Sequence, residues 1–218
     1  MEKNIIMFDF DNTLVNSLKY WYKVQENLMF KKYGTKPTPE MERRRHGKNN
    51  REVAELFIEL SNAKVDYTQI YEDWFNYMEF FYTKKIKMLK NAKQFLLNLK
   101  QQGKKLVLAS ATEFELLQVA LKHFGLFDLF DEVYTETIMG YAKIQPEFFD
   151  ELLTRLNATP EEIFFFEDSY GSIKNATAKG IEVCAVVHKY NKKHLPKLNQ
   201  MCKLVIKNYN NKQIHKLF

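Results

Sequence analysis

Two aspartates, Asp9 and Asp11, stand directly after a short apolar run, residues 5–8, near the start of the chain. Four consecutive apolar residues are typical of a strand that is buried on both faces of a parallel sheet. Two carboxylates so close together repel each other unless a cation lies between them or one of them carries a proton. Aspartates are also common in turns, so this pair alone is weak evidence for a functional site.

Polar side chains that could handle a cation or a phosphate recur later in the chain. Each stands after a predicted strand or before a predicted helix: Ser110, Lys143, Glu167 and Asp168. Taken singly, each has an ordinary structural explanation, as a helix cap or as a solvated charge. In an open parallel sheet, however, ligands bind at the carboxyl ends of the strands, where these groups would meet. Their combination with the two aspartates therefore predicts one functional site at that edge.

An alternation of short apolar runs with amphipathic segments predicts the elements that would position these groups. The predicted strands are residues 4–8, 105–109, 132–135, 163–166, 182–187 and 203–206. The predicted helices between them are residues 91–102, 113–124, 146–156 and 170–179. Strands that alternate with helices favour an α/β fold with a parallel sheet covered on both faces.

Residues 17–85 interrupt this alternation, because their pattern is helical. Aromatic and apolar residues recur there at helical spacing: Tyr67, Tyr71, Trp74, Phe75, Met78, Phe81 and Tyr82. Such a row could stack nucleic-acid bases, but an amphipathic helix that faces a core is the favoured interpretation. We therefore predict a core domain formed by residues 1–15 and 88–218, with an inserted α-helical domain at residues 16–87.

Length and composition agree with a globular protein. The chain has 218 residues, of which 45% are hydrophobic and 28% are charged, so it can bury a sizeable core. The net charge of +6 could favour binding of nucleic acid. Because the lysines are scattered along the chain, we prefer to interpret the positive charges as solvated surface residues. The N-terminal residues lack the pattern of a signal peptide, and no apolar run is long enough to span a membrane. The two cysteines, Cys184 and Cys202, have no metal-ligand spacing and form no disulfide framework, so we expect a reducing, cytoplasmic location.

We further expect a monomer or homodimer, no membrane partner, and no nucleic-acid partner.

Four segments of the chain resemble the four motifs of the haloacid dehalogenase superfamily: DFDNTL, LASAT, AKIQPEFF and FFFEDSYGSIKNATAKGI. The resemblance covers residues 1–14 and roughly residues 90–206. It implies a Rossmann-like core with a mobile α-helical cap. The inserted helices resemble the cap of the branch that holds phosphoglycolate phosphatases, sugar-phosphate phosphatases and β-phosphoglucomutase. The resemblance also implies Mg²⁺ as cofactor and a small phosphorylated metabolite as substrate.

The resemblance assigns catalytic roles to residues of the motifs. Asp9 would be the nucleophile that attacks phosphorus and forms an aspartyl-phosphate. Asp11 would act as general acid toward the leaving oxygen and then as general base on water. Ser110, Lys143 and main-chain N–H groups such as that of Ala111 would hold the phosphoryl oxygens.

The same resemblance implies a metal site. Asp9 and Asp168 would bind Mg²⁺ through their carboxylates and Asp11 through its main-chain carbonyl. Glu167 would be either a further ligand or a partner of the ligands. Thr13 would brace the loop after the first strand at the substrate site.

Two positions, Asp11 and Trp21, bear on which reaction is expected, and a third, Asn12, departs from the family pattern without removing a catalytic group. Dehalogenases of the superfamily lack the proton-shuttling aspartate, so the presence of Asp11 favours phosphoryl transfer. Asn12 stands where the family most often has glycine, and asparagine tolerates similar backbone angles. β-Phosphoglucomutase carries a histidine where alignment places Trp21, which favours a phosphatase over a phosphomutase or another phosphotransferase. A non-catalytic binding protein is the alternative from a different class.

A basic segment of the predicted inserted domain, residues 43–51, resembles the cap loop that closes over the active site in the family. Lys48 and Arg51 could hold a second anionic group of the substrate, since arginine suits bidentate contact with a carboxylate or phosphate. The alternative is a solvated basic turn. His188 and Lys189 follow a later strand and could line the rim of the site, but a plain surface loop is the favoured interpretation.

Overall fold

A parallel sheet of six strands forms the centre of the molecule. The computed structural model describes residues 3–34, 38–44, 48, 50–61 and 64–218. The strands are β1 (Ile5–Phe8), β2 (Lys105–Ser110), β3 (Glu132–Thr135), β4 (Ile163–Glu167), β5 (Glu182–Val186) and β6 (Leu204–Ile206). Their order across the sheet is β3-β2-β1-β4-β5-β6, and each neighbouring pair is parallel. The prediction of an α/β, Rossmann-like fold is therefore confirmed.

The strands are short and apolar because both faces of the sheet are covered. Successive side chains of a strand point to opposite faces. Ile6 and Phe8 of β1 accordingly lie in one apolar cluster, while Ile5 and Met7 lie in another. Continuous apolar runs in the sequence thus correspond to strands buried on both sides.

α-Helices connect the strands and cover the sheet. In chain order they are α1 (Leu18–Gln25), α2 (Pro39–Arg44), α3 (Asn50–Ser61), α4 (Tyr67–Lys84), α5 (Ala92–Gln101), α6 (Phe114–Phe124), α7 (Glu136–Met139), α8 (Pro146–Leu156), α9 (Tyr170–Ala178) and α10 (Leu195–Met201). The sequence predicted α5, α6, α8 and α9 to within one residue at either end, because apolar periodicity and helix-ending residues mark them. It did not predict α7 and α10, which are short and lack a long amphipathic pattern.

Helices α1 to α4 lie between β1 and β2 in the chain, although β1 and β2 are neighbours in the sheet. We call residues 18–84 the inserted helical segment. Its outer part has a small apolar cluster of its own: Met41, Ala54, Phe57 and Ile70. The last turns of α4 belong instead to the main core, through Met78, Phe81 and Tyr82. One end of the inserted helical segment is therefore packed as part of the sheet's own core.

The two chain segments that join the inserted helical segment to the sheet lie side by side. Asn16 donates its N–H to the carbonyl of Lys87 (2.9 Å), and Val15 forms an antiparallel bridge with Met88. Entry to the insertion and exit from it therefore form a short paired connection.

None of the helices in the described parts of the chain is both long enough and apolar enough to cross a bilayer. Even the 18 residues of α4 include charged side chains such as Asp73 and Lys84.

Candidate active site

The ends of β1, β2 and β4 meet at one edge of the sheet. Phe8 of β1 is level with Leu108 of β2 and with Phe166 of β4, so the residues that follow them are neighbours. The N–H of Asp9 donates to the carbonyl of Phe166 (2.9 Å), which extends the pairing of β1 with β4. Asp9 therefore lies between the ends of β2 and β4.

Lys143 is buried beside Asp9. Its ammonium group donates to a carboxylate oxygen of Asp9, to Oε2 of Glu167 (3.0 Å) and to the carbonyl of Ala109 (3.1 Å). An ammonium group has three protons, so these acceptors use all of them. Burial alone would lower the pKa of Lys143, but the carboxylates of Asp9 and Glu167 raise it above its ordinary value. The lysine is therefore held as a cation between two carboxylates.

Three carboxylates form an acidic cluster at this edge: Asp9, Glu167 and Asp168, each with an oxygen within 4.8 Å of the others. Burial raises the pKa of Asp9 well above its usual range, and the charges of Glu167 and Asp168 add to this against the effect of Lys143. Burial and the charge of Glu167 likewise raise the pKa of Asp168. A divalent cation stabilises such a group of mutually repelling, hard oxygen donors. The residues present therefore fit a Mg²⁺ site.

Glu167 has its hydrogen-bonding capacity filled by protein groups. Its Oε1 accepts the N–H groups of Asp168 (2.9 Å) and Ser169 (3.0 Å). Its Oε2 accepts the hydroxyl of Ser172 (2.7 Å) and the ammonium of Lys143 (3.0 Å). A carboxylate offers about four acceptor positions. These bonds therefore fix the turn between β4 and α9 and orient Lys143.

Asp168 contacts a histidine from the loop after β5. Nε2 of His188 lies 2.7 Å from Oδ2 of Asp168, a hydrogen-bonding distance. Asn191 fixes this loop, since its side chain donates to the carbonyl of Asp168 (2.9 Å) and accepts the N–H of His188 (2.9 Å). Burial lowers the pKa of His188. The interpretation of this position as a plain surface loop was wrong, because the ring is half-buried against the acidic cluster.

Asp11 is held from two sides by hydroxyl groups. The phenol of Tyr82 donates to its Oδ1 (2.7 Å), and the side chain of Thr112 donates to its Oδ2 (2.6 Å). Burial, followed by the charge of Asp11, raises the pKa of Tyr82 well above its ordinary value. The phenol therefore keeps its proton and remains a donor.

The turn after β1 depends on the backbone of Asn12 and on the burial of Thr13. Asn12 has a φ of 60°, in the left-handed region that asparagine reaches more easily than most residues. Its Oδ1 accepts the N–H of Leu18 (2.9 Å), the first residue of α1. Thr13 is fully buried, and its carbonyl accepts the hydroxyl of Tyr209 (3.1 Å). The turn is thereby tied to α1 and to the C-terminal part of the chain.

The loop after β2 turns tightly at the same edge. Ser110 is the last residue of β2 and is level with Thr135 of β3, whereas the sequence placed it just after the strand. Its Oγ accepts the N–H of Thr112 (3.1 Å). Ser110 is buried, and Ala111 is exposed. The loop thus turns back toward Asp11 through Thr112.

The two basic residues predicted to touch substrate pair with acids of α3. The ammonium of Lys48 lies 3.8 Å from a carboxylate oxygen of Glu52, and Nε of Arg51 donates to Glu55 (2.9 Å). Among the described contacts, neither side chain reaches the acidic cluster. Residues 45–47 and 49 of the predicted basic segment lie outside the described residues.

A family model for haloacid dehalogenase-like hydrolases matches residues 6–186. The chain belongs to this family. The matched range runs from β1 to β5 and includes Lys143 and the acidic cluster.

The chain is similar to a phosphatase and to several proteins of solved structure. The chain is 25% identical over 187 residues to a phosphorylated carbohydrates phosphatase of Thermotoga maritima. That alignment covers 85% of this chain and 86% of the phosphatase. A Thermotoga maritima crystal structure with the provisional description β-phosphoglucomutase is 25% identical, covers 99% of both chains and has a TM-score of 0.72. A Haemophilus somnus crystal structure, provisionally described as a phosphoglycolate phosphatase, is 21% identical and has a TM-score of 0.78. That alignment covers 100% of this hydrolase and 98% of the other chain.

Sequence reasoning missed Tyr82 and Thr112 as neighbours of the site. Tyr82 stands in the aromatic row that was assigned to a core, and periodicity does not distinguish a buried phenol from a buried phenyl ring. Thr112 stands two residues after Ser110 in the segment LASAT, and that spacing could have identified it. His188 stands two residues after Val186, the last residue of β5, and the rule about strand ends indicates it as a residue of the rim, although a surface loop is the favoured interpretation from sequence.

Proposed function

We propose that this hydrolase is a Mg²⁺-dependent phosphatase that cleaves a small phosphate monoester, with a phosphorylated sugar as the substrate class. The observation that carries the proposal is the environment of Asp9. This carboxylate ends the central strand with the buried ammonium of Lys143 against it and a second carboxyl group, Asp11, two residues away. The related phosphorylated carbohydrates phosphatase supports the choice of substrate class.

Asp9 and Asp11 divide the chemistry between them. In the first step a carboxylate oxygen of Asp9 bonds to phosphorus while the bond from phosphorus to the leaving oxygen breaks, which gives an aspartyl-phosphate. Asp11 gives its proton to that leaving oxygen. In the second step water attacks phosphorus, Asp11 takes a proton from the water, and Asp9 is released together with inorganic phosphate.

Lys143 and the loop after β2 stabilise the charge of the phosphoryl group. The ammonium of Lys143 lies against the attacking carboxylate, so its positive charge is close to phosphoryl oxygens that bind beside Asp9. Ser110 and the main-chain N–H of Ala111 supply further donors at the end of β2. Thr13 holds the turn that follows the nucleophile.

We assign the Mg²⁺ site to the carboxylates of Asp9 and Asp168 and the main-chain carbonyl of Asp11. When bound, Mg²⁺ neutralises part of the phosphoryl charge, so that an anionic nucleophile can approach an anionic substrate. Glu167 orients Lys143 and the turn that carries Asp168, because its own acceptor positions are filled by protein donors.

We also propose that residues 16–87 act as a cap that closes over the core formed by residues 1–15 and 88–218. The topology supports this, since the insertion leaves the sheet directly after the nucleophile and returns before β2. The proposal includes Lys48 and Arg51 as cap residues that bind a second anionic group of the substrate, which would replace their solvent-accessible partners on α3, Glu52 and Glu55.

A phosphomutase is the second candidate, because a structural relative at 25% identity has that provisional description. Trp21 stands where the resemblance to β-phosphoglucomutase calls for a histidine. Identification of the products separates the two reactions, since a mutase returns an isomeric sugar phosphate without releasing phosphate.

The proposal is tested by measuring phosphate release from a set of sugar phosphates and from p-nitrophenyl phosphate, with Mg²⁺ and with a chelator. Wild type is compared with Asp9→Asn and with a matched control, Asp150→Asn. Asp150 is an exposed residue of α8, and in wild type its carboxylate pairs with Lys179. We expect release that needs both Mg²⁺ and Asp9 and that is unchanged in the control. Turnover in Asp9→Asn at the wild-type rate, or none by folded wild type, would contradict the proposal.

A further inference from the structure

The carboxyl group of Asp11 is gripped by two hydroxyls that come from different parts of the molecule. Tyr82 lies near the end of α4, in the inserted helical segment, and its phenol donates to Oδ1 (2.7 Å). Thr112 lies in the loop after β2, and its hydroxyl donates to Oδ2 (2.6 Å). Tyr82 is fully buried and Thr112 is nearly so. The orientation of Asp11 is therefore determined jointly by the sheet and by the insertion.

Tyr82 is itself firmly placed. Its ring packs against Phe10, with ring centres 5.8 Å apart, within the main core. Just beyond α4, the carbonyl of Lys85 accepts the hydroxyl of Tyr20 (3.0 Å). Two phenols of the inserted helical segment are thus anchored at its junction with the sheet, and one of them reaches Asp11.

We infer that Tyr82 is a positioning residue that sets Asp11 for proton transfer and makes that transfer depend on the placement of the inserted helical segment. The inference rests on the proposed phosphatase function. The phenol of Tyr82 and the hydroxyl of Thr112 fix the orientation of the carboxyl group, and its proton passes to the leaving oxygen as the bond of that oxygen to phosphorus breaks. In the second step the carboxylate takes a proton from the attacking water. The phenol keeps its own proton throughout.

The leaving group of the substrate distinguishes this role from a merely structural one. An alkoxide, such as the leaving oxygen of a sugar phosphate, needs a proton as it departs, whereas p-nitrophenolate is stable without one. A misplaced general acid therefore slows phosphoryl transfer from a sugar phosphate far more than from p-nitrophenyl phosphate. Damage to folding or to the rest of the site slows both substrates alike.

The experiment compares wild type with Tyr82→Phe, which keeps the packed ring and removes only the hydroxyl. Single-turnover formation of the aspartyl-phosphate and KM are measured for a sugar phosphate and for p-nitrophenyl phosphate. We expect the rate for the sugar phosphate to fall at least about tenfold more than the rate for the aryl ester, within the range that general acid catalysis contributes. KM is expected to change by less than about twofold, because the phenol acts on the transition state.

Tyr20→Phe is the matched control, since it removes a buried phenol hydroxyl from the same segment without touching Asp11. It is expected to leave the ratio of the two rates unchanged. Thr112→Val, which removes the hydroxyl on the other oxygen, provides a second variant and is expected to shift the ratio in the same direction as Tyr82→Phe.

The outcomes separate this inference from the proposed function. Equal losses on both esters in Tyr82→Phe, or an unchanged ratio, overturn the positioning role and leave the phosphatase proposal standing. A similar shift in Tyr20→Phe also overturns it, because the effect would then belong to the junction in general. If folded wild type hydrolyses neither ester, the proposed function falls and the inference falls with it.

Discussion

Lys143 is the residue whose loss we expect to disturb the buried charges most. Its removal leaves Asp9 and Glu167 without their cation in a buried setting. Removing one partner of a buried ion pair typically costs about 3–5 kcal/mol. We expect Lys143→Met to lower the free energy of unfolding by about that amount in a chelator, and by less in Mg²⁺, which replaces part of the lost charge. Urea denaturation in the two buffers measures both values.

A lysine in a solvent-accessible ion pair provides the control for this experiment. Lys179 pairs with Asp150, but both side chains are substantially open to solvent. Exposed pairs are worth about 0–1 kcal/mol, so Lys179→Met should be nearly neutral. A loss in Lys143→Met no larger than in this control would show that the buried contacts contribute little.

Among the structural elements, the turn between β1 and α1 shows why asparagine stands where the family more often has glycine. The φ of 60° at Asn12 strains residues with a Cβ, by about 1–2 kcal/mol, and the bond from its side chain to Leu18 adds stability. We expect Asn12→Ala to lower the free energy of unfolding more than Asn12→Gly, because only alanine has the strain as well as the lost bond. Chemical denaturation of both variants tests this order. The reverse order would mean that the left-handed backbone is not what constrains this position.

The turn between β4 and α9 allows a test of what Glu167 does. The carboxylate accepts four hydrogen bonds from protein groups, so we assign it an orienting role rather than direct coordination. Changes in groups that orient ligands typically weaken metal binding by about 10–100-fold. We expect a loss in this range for Mg²⁺ binding to Glu167→Gln, and a larger one for Asp168→Asn. Isothermal titration gives both affinities, and equal losses would indicate that Glu167 is a direct ligand.

On the scale of the whole molecule, we expect the acidic cluster to make the stability of the protein depend on pH and on Mg²⁺. The pKa values of Asp9 and Asp168 are raised in the folded, metal-free protein, chiefly by burial. Each group then contributes stability that is fully present below the unfolded pKa of aspartate, about 3.9, and is lost as pH rises through the folded pKa. Mg²⁺ competes with these protons, so its stabilising effect should grow over the same rise in pH.

This linkage is measured as the difference in melting temperature between excess Mg²⁺ and chelator. We expect a larger difference at about pH 8 than at about pH 5. Mg²⁺ at a hundredfold excess over its Kd adds about 2.7 kcal/mol, which corresponds to about 5–10 °C for a chain of this size. Asp168→Asn should abolish most of the difference and Asp150→Asn should keep it. A difference that shrinks as pH rises would contradict the assignment of the cluster.

The sheet and its order of elements were accessible from the sequence because both depend on local patterns. Runs such as residues 163–166 are apolar throughout, and residues such as Pro146 and Gly103 mark helix ends. The polar groups at the strand ends followed from the general location of sites in parallel sheets. The hydrogen bond from Tyr82 to Asp11 could not be predicted from the sequence, because it joins residues 71 positions apart through one hydroxyl. The pairs of Lys48 with Glu52 and of Arg51 with Glu55, by contrast, follow a local pattern, because each joins residues four positions apart.

The paired connection at residues 14–16 and 87–89 has a consequence for how such molecules can diversify. The chain leaves and re-enters the core at neighbouring points, so the two ends of the insertion are held together as the ends of a surface loop are. The entropic cost of closing a loop rises only slowly with its length. An insertion of quite different length would therefore lower the stability of the sheet only a little. A replacement must reproduce the apolar side chains that the insertion contributes to the main core, such as Val24, Leu28 and Met78, and the phenol of Tyr82 that contacts Asp11. An insertion that meets these two requirements can differ in size and sequence while the chemical groups at the strand ends stay in place.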